Sequence, residues 1–378
     1  AAMSSLLLAN TSARQDMPSL AEQLTAAAYA AGSTDNLSAL LLQVQQLPAA
    51  EAPPRLDERW QLAAELQTGA VFDGFYVIRP LYQSHRSHVY LVRDTHSQQV
   101  AVLKTPATEQ MANEAHLARL LLEDWIALRV NSLHLIRAVS SGRERRYIYT
   151  LSEYIDGQTL QQWHLDHPKP SVEQVRQIIL QVGKGLQALH RAEVLHQDLR
   201  PENIMITHDG VVKIIDLGSA SVAGLTEQYE AGSVLGVGTA MYAAPECLLG
   251  NNGTERSDLY SLAVLFYYLL SGGFPYGAKM ARCRNLSQQQ ALLYQPLAAE
   301  ALPVPHWLDA TLQKALQPDP AKRYQELSAF LYDVQHPNPA YLSKPFRPLL
   351  QRDPLRFWQL LSLLLLLLNL SLFYRLLS

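Results

Sequence analysis

The sequence predicts an α+β protein of two lobes, a small strand-rich one followed by a larger helical one, with one further apolar helix at the C-terminus. Three features carry this. From Phe72 onward, apolar residues alternate in short runs, the period of half-buried strands. Beyond Tyr154 the spacing turns helical. From Phe357 to Tyr374 nearly every residue is apolar.

Residues 1–46 read as one unit. An amphipathic helix over about Met17–Ala31 precedes the turn-forming run Gly32-Ser33-Thr34-Asp35-Asn36 and a buried strand over Leu37–Val44. Residues 47–72, with Pro48, Pro53 and Pro54, read as a linker holding a helix around Asp57–Leu66. Strands are then expected at Tyr76–Ile78, Val89–Val92 and Val100–Leu103. A helical stretch near 108–130 follows, then two more strands ending at Tyr147–Tyr154. Ser171 with Gln174 three residues on has the form of a capping box. Val172, Val175, Ile178, Ile179, Val182, Leu186 and Leu189 then mark one face of a long helix. The cleft between two such lobes is a usual place for a nucleotide.

The span Phe357–Tyr374 contains an unbroken leucine run, Leu363–Leu368. As a helix it rises about 27 Å, close to the hydrocarbon thickness of a bilayer. Arg356 and Arg375 bracket it, and Trp358 and Tyr374 sit where interfacial aromatics belong. The segment 336–356 carries Lys344, Arg347, Arg352 and Arg356, against Arg375 alone on the far side. That bias puts everything before the span in the cytoplasm, anchored by a single C-terminal transmembrane helix.

Composition narrows the function. A net charge of −3 over 378 residues gives no electrostatic footprint for nucleic acid. Two cysteines, Cys247 and Cys283, are too few for a disulfide framework, and none of the histidines joins them at metal-ligand spacing. The first residue is alanine, and no basic region precedes Leu6-Leu7-Leu8, so no signal peptide is read there and the chain is expected to be a piece of something longer.

The strongest chemical signal is His196-Gln197-Asp198-Leu199-Arg200-Pro201-Glu202-Asn203, followed by Asp216-Leu217-Gly218, Gly238-Thr239, Tyr242 and Ala244-Pro245-Glu246. In order and spacing these resemble the catalytic loop, the Asp-Phe-Gly segment and the Ala-Pro-Glu segment of protein kinases. The resemblance covers about residues 73–335 and implies the two-lobed kinase fold, ATP and Mg2+ as cofactors, and protein substrates. Phosphoryl transfer is mostly positioning and charge neutralisation, which is why carboxylates, an amide and a lysine recur in this pattern. By the resemblance Asp198 would take or orient the substrate hydroxyl proton. Asn203 and Asp216 would hold Mg2+, a hard ion that prefers oxygen ligands. Lys104 would contact the α and β phosphates and needs an acidic partner on the next helix; Glu123 is preferred and Glu114 is the alternative. Arg200, where serine/threonine kinases usually carry lysine, followed by Pro201 and together with Thr239, fits the serine/threonine class. Glu246 is expected to pair with Arg323, and Asp258 to brace the catalytic loop. Glu153, Tyr154 and Ile155 look like the hinge that reads adenine through its backbone, behind Ser152 as gatekeeper. Val89, Val102 and Met205 would sandwich the ring.

Two departures stand out. Aligned on Val89, the three positions of the glycine-rich loop hold Tyr82, Ser84 and Ser87, so phosphate contacts would be weaker or would use the hydroxyls of Ser84 and Ser87. This keeps a second reading open, a pseudokinase that binds ATP as a scaffold or regulator at the membrane. Gln197 replaces the arginine that receives a phosphate from the activation segment, which implies activity with little dependence on phosphorylation there. Separately, Gly32–Ser38 resembles the closing segment of the type 2C metal-dependent phosphatases, making residues 1–46 the end of such a domain. With Asp35 as its lone metal-binding carboxylate, this fragment is expected to be inactive. Such a fusion with a C-terminal anchor looks bacterial and implies the inner membrane.

Overall fold

The computed structural model describes residues 17–33, 37–38, 56, 59–223, 240–297, 304–342 and 354–377. The chain divides into two units, Ala1–Ala52 and Pro53–Ser378. The first contains helix α1, Met17–Ala30, where an amphipathic helix was expected. Gly32 follows at φ 90°, a left-handed turn that glycine adopts without a Cβ penalty. Asp35 and most of the expected Leu37–Val44 strand lie outside the described residues.

In the second unit, five antiparallel strands make the smaller lobe's sheet in chain order: β1 Val71–Phe72, β2 Phe75–Gln83, β3 Ser87–Asp94, β4 Val100–Pro106 and β5 Thr150–Glu153. Their alternation buries Phe75, Val77, Tyr90, Val92, Ala101, Leu103, Tyr149 and Leu151 on one face. The helical stretch near 108–130 is a short 3-10 turn, Thr108–Gln110, and then helix α2, Glu114–Arg129, capped by Asn113 accepting from the His116 amide. Of the two strands expected before Tyr154, only β5 forms; the segment before it makes isolated bridges. No helix occupies 59–66. That stretch runs extended across the lobe and buries Ala63, because the sheet offers it an apolar face and unpaired backbone. The end of the expected linker is therefore part of the lobe.

The larger lobe is built on α4, Val172–Arg191, with the expected capping box between Ser171 and Gln174, and on α6, Glu255–Ser271. Before α4 come β6, Gly157–Thr159, and α3, Leu160–Asp166. Between α4 and α6 lie β7 Val194–Leu195, β8 Ile204–Thr207, β9 Val212–Ile214, β10 Ser221–Val222 and α5 Pro245–Leu248. A side chain at Gly157 would collide with the Ile206 carbonyl, so glycine lets β6 lie against β8. Helix α6 is buried almost all round, from Ser257 to Tyr267, as a central core helix must be. Helices α7 Leu286–Gln290, α8 His306–Ala315 and α9 Leu327–Gln335 complete the lobe. Pro354–Leu377 is one helix, α10, over the expected Phe357–Tyr374 span. Among the described residues, no helix is long and apolar enough to cross a membrane.

Candidate active site

A cavity of about 1790 Å³ opens between the lobes. It is lined by Ser84, Ser87, Val89, Val102, Lys104 and Glu123 from the smaller lobe, by Glu153 and Ile155 at the junction, and by Asp198, Arg200, Asn203, Met205 and Asp216 from the larger. Every residue expected at the site thus reaches one cleft, except Glu114. Glu114 begins α2 on its exposed side.

Strand pairing and helix phase place the central ion cluster. Lys104 sits opposite Val89 in the β3–β4 ladder, so both side chains face the cleft. Lys104 Nζ donates to Glu123 Oε2 at 2.8 Å and lies 3.6 Å from Asp216 Oδ1. Burial works to discharge the lysine, but Asp216 and Glu123 outweigh it and hold its pKa above the ordinary value. Asp216 stays well ionised, its carboxyl lowered chiefly by Lys104 and, against burial, by the Gly218 amide at 3.0 Å. Burial pushes Glu123 up to about 7, opposed by Lys104 and reinforced by Asp216. Asp216 is therefore the firm anion of the cluster and Glu123 its titrating member.

The catalytic loop is braced from below. The buried Asp258 accepts the His196 amide through Oδ2 at 2.8 Å and the Gln197 amide through Oδ1 at 2.9 Å, and pairs with His190 Nε2 at 2.9 Å. This grip holds Gln197 at φ 64°, a left-handed conformation costly for a residue with a side chain. The loop then presents Asp198, whose Oδ2 accepts from Asn203 Nδ2 at 3.1 Å while Oδ1 is buried without a hydrogen-bond partner. Burial raises the Asp198 carboxyl to about 6, with Arg200 pulling the other way. A buried, unpaired carboxylate oxygen at a cleft is an acceptor waiting for a donor.

The oxygens also fit a magnesium ion. Asn203 donates through its amide nitrogen, to Asp198 and to that residue's carbonyl at 2.9 Å, which leaves the amide oxygen as an acceptor. Asp216 commits Oδ1 to Gly218 and to Lys104. Among the described residues no cluster of three or more His, Cys, Asp or Glu side chains could cage a metal. One carboxylate and one amide oxygen suit magnesium, which is commonly held by one or two protein ligands plus phosphates and water.

Three expected residues make contacts that the sequence did not signal. Ser84 Oγ accepts from the amides of Arg86 and Ser87, each at 3.2 Å, and donates to the Ser87 carbonyl at 3.2 Å. The hydroxyl closes the β2–β3 turn on itself, and neither Tyr82, Ser84 nor Ser87 has a positive φ, so the turn needs no glycine. Arg200 forks onto Glu202, Nε to Oε2 and Nη2 to Oε1, both at 2.8 Å, rather than pointing freely into the cleft. The Glu153 carboxylate is taken up by Lys213 at 2.6 Å and by the Arg137 amide at 3.0 Å, and the Glu153 amide donates to the Arg137 carbonyl at 2.9 Å. Neither Lys213 nor His190 carried a sequence signal. Gln197 Nε2 donates to Ser221 Oγ at 2.8 Å, a contact also missed.

Remote from the cleft, the expected Glu246–Arg323 pair forms a bidentate fork at 2.8 and 2.7 Å. Arg323 is fully enclosed and also donates to the carbonyls of Gln317, Arg256 and Pro318. Thr239 lies outside the described residues.

Comparison with known proteins agrees. A family model of the protein kinase domain matches residues 78–334. The serine/threonine-protein kinase PknL of Mycobacterium tuberculosis is 30% identical over 268 residues, 70% of this chain and 66% of that protein. PrkC of Bacillus subtilis, also a serine/threonine-protein kinase, is 26% identical over 266 residues, 69% of this chain but 40% of that one. The chain therefore spans less than two thirds of either relative. Among solved structures, the kinase domain of Mycobacterium tuberculosis PknI aligns with a TM-score of 0.55 at 24% identity, covering 72% of this chain and 99% of that domain, which establishes the shared fold. With the Lys104–Glu123–Asp216 cluster and the Asp198 loop facing one interlobe cleft, the chain belongs to the protein kinase family.

Proposed function

We propose that this chain transfers the γ-phosphoryl group of ATP to serine or threonine hydroxyls of proteins. The observation that carries the reading is Asp198, which lines the cavity, is held through Oδ2 by Asn203 and keeps Oδ1 without a hydrogen-bond partner. A substrate hydroxyl donating there would be aligned on the phosphoryl group and could pass its proton to Asp198 as the new O–P bond forms. Lys104, kept cationic, would grip the α and β phosphates, and Glu123 would fix its position. The backbone of Glu153 and Ile155 would read the adenine edge, with Val89, Val102 and Met205 against the ring. Asn203 and Asp216 would hold Mg2+, which supplies charge neutralisation on the phosphates. Arg200 would reach the transferred phosphate only on leaving Glu202.

The survival of Lys104, Asp198, Asn203 and Asp216 in one geometry favours catalysis. The self-capped Ser84 turn favours the second reading, an ATP-binding pseudokinase. Incubating the full chain with Mg2+ and labelled ATP decides between them. Label on serine or threonine, absent from Asp198→Ala and Asp216→Ala, is expected. Thermal stabilisation by Mg-ATP without any label would overturn the catalytic reading.

Two finer readings rest on sequence. The apolar run through Leu363–Leu368, flanked by Arg356 and Arg375, supports a C-terminal anchor in the bacterial inner membrane with the kinase domain in the cytoplasm. Helix α1 and the Gly32 turn support residues 1–46 as the closing piece of a type 2C phosphatase domain, inactive by itself.

A further inference from the structure

The chain that precedes the smaller lobe crosses it as a strap. The Gln61 amide donates to the Arg146 carbonyl at 2.9 Å, and the Ile148 amide donates to the Gln61 carbonyl at 3.0 Å. The Leu66 amide donates to the hydroxyl of the buried Tyr90 at 3.1 Å, and Gln83 Nε2 donates to Glu65 Oε1 at 2.9 Å. Ala63 is buried in the sheet's core with Leu66 against it. At the strap's leading end, Leu56 and Trp60 pack on Leu117, Leu120, Leu121 and Ile148. The first three belong to α2, the helix that carries Glu123.

Helix α2 is thus held from two sides. Leu122 and Ile126 join the core of the larger lobe. Among the described residues, Leu117, Leu120 and Leu121 share their cluster with Ile148 and the strap's Leu56 and Trp60. A helix turns about 100° per residue, so slippage by one position would carry Glu123 off Lys104. Resistance to that slippage on the strap side comes mainly from the indole of Trp60, the largest group there.

We propose that the strap is a positioning element for the active site, with Trp60 as its principal residue: by packing on α2 it keeps Glu123 within hydrogen-bond reach of Lys104. The inference rests on the phosphoryl-transfer reading for its catalytic consequence but not for its structural one. Trp60 touches neither the cleft nor the reacting groups, so it acts through α2.

The test compares the full chain with Trp60→Ala, Trp60→Phe and, as a control, Arg59→Ala, whose pair with Glu144 is exposed and 4.0 Å long. Hydrogen exchange is followed separately in α2 and α6, and kcat and KM for ATP are measured. Trp60→Ala is expected to speed exchange across Glu114–Arg129 with α6 unchanged, and to lower kcat/KM by about 3- to 30-fold, the range of indirect couplings. Trp60→Phe should restore most of both, and Arg59→Ala should change neither. Should Trp60→Ala not fold, Leu56→Ala is read against the same criteria. Unchanged exchange in α2, or exchange rising equally in α2 and α6, would overturn the proposal. If the unaltered chain transfers no phosphate, the function reading falls, and the exchange data alone still decide whether the strap holds the helix.

Discussion

Replacing Glu123 by glutamine tests the central ion cluster. The amide keeps the side chain's volume but removes the charge that meets Lys104 at 2.8 Å. A hydrogen bond to a charged partner contributes about 1.5–3 kcal/mol net. If that stabilisation serves the transition state by fixing Lys104, its loss lowers kcat/KM by roughly 10- to 150-fold. Lys104 would then be left to Asp216, now 3.6 Å away, and would compete for the carboxylate needed for Mg2+. Stability should behave differently. Burial raises Glu123 to about 7 from an ordinary 4.5, so its contribution is fully present below 4.5 and lost as pH rises through 7. Above pH 7 the substitution removes a disfavoured ionisation along with a favourable contact, and the unfolding midpoint should move little. The acid limb of kcat/KM carries a second signature. Asp198, raised to about 6, and Glu123 must both be ionised, so the wild-type limb should steepen towards two protons below pH 6. In Glu123→Gln it should follow one proton. Steady-state kinetics between pH 5 and pH 8, beside urea unfolding, provide both readouts. A kcat/KM within threefold of wild type, or an unchanged two-proton limb, would refute the argument.

Glu246→Gln leaves the enclosed Arg323 without its counter-charge and should cost about 3–5 kcal/mol, read as a fall in Tm of roughly 5–10 °C. Burial works against ionising Glu246, yet Arg323 holds its carboxyl below the ordinary value. That stability is present above the ordinary carboxylate range and lost as pH falls through the lowered value, so the gap between wild type and variant should close in acid. Ser84→Gly releases the Arg86 and Ser87 amides that the hydroxyl now caps, and KM for ATP should fall by about 2- to 10-fold, one neutral hydrogen bond's worth. A KM that stays put or rises would show that those amides never meet phosphate.

Much of the architecture was legible because it follows from period. The alternation in Val89–Val92 and Val100–Leu103 had to fold as paired strands to bury one face, and α4 displays its stripe and capping box where Ser171 and Gln174 put them. The choice of Glu123 over Glu114 was legible as well, since it placed Ala127 and Val130 at apolar spacings, and Val130 is buried. The strap was not. The prolines ahead of it, Pro53 and Pro54, and its mixed polarity read as a linker, and Trp60, Ala63 and Leu66 recur at helical spacing, whereas the backbone around Tyr147 captures the chain as an extended segment. The role of Ser84 stays open in the sequence for a related reason. A serine hydroxyl can bind a phosphate or its own turn, and only the turn's closure, with two amides within 3.2 Å, decides which.

The replacement of arginine by Gln197 and the buried Asp258 belong to one device. An arginine there would need an anion on the segment that follows, and its charge would have to be met before the loop settled. Gln197 instead reaches Ser221, the first residue of β10, with a neutral hydrogen bond at 2.8 Å. Strand β10 pairs with β7, Ser221 beside Leu195 and Val222 beside Val194, directly ahead of the catalytic loop. The left-handed backbone of Gln197, with both carboxylate oxygens of Asp258 engaged on the amides of His196 and Gln197, aims the side chain at that strand. Among the described residues, uncharged contacts thus tie the start of the segment after Asp216 to the catalytic loop. A phosphate on Ser221 would replace the hydroxyl that Gln197 grips and set a negative charge facing Asp198 and Asp216 across the same cavity. Ser221→Glu is therefore expected to lower kcat/KM, the reverse of what an arginine in place of Gln197 would make that charge do, and an unchanged or raised kcat/KM would refute the argument.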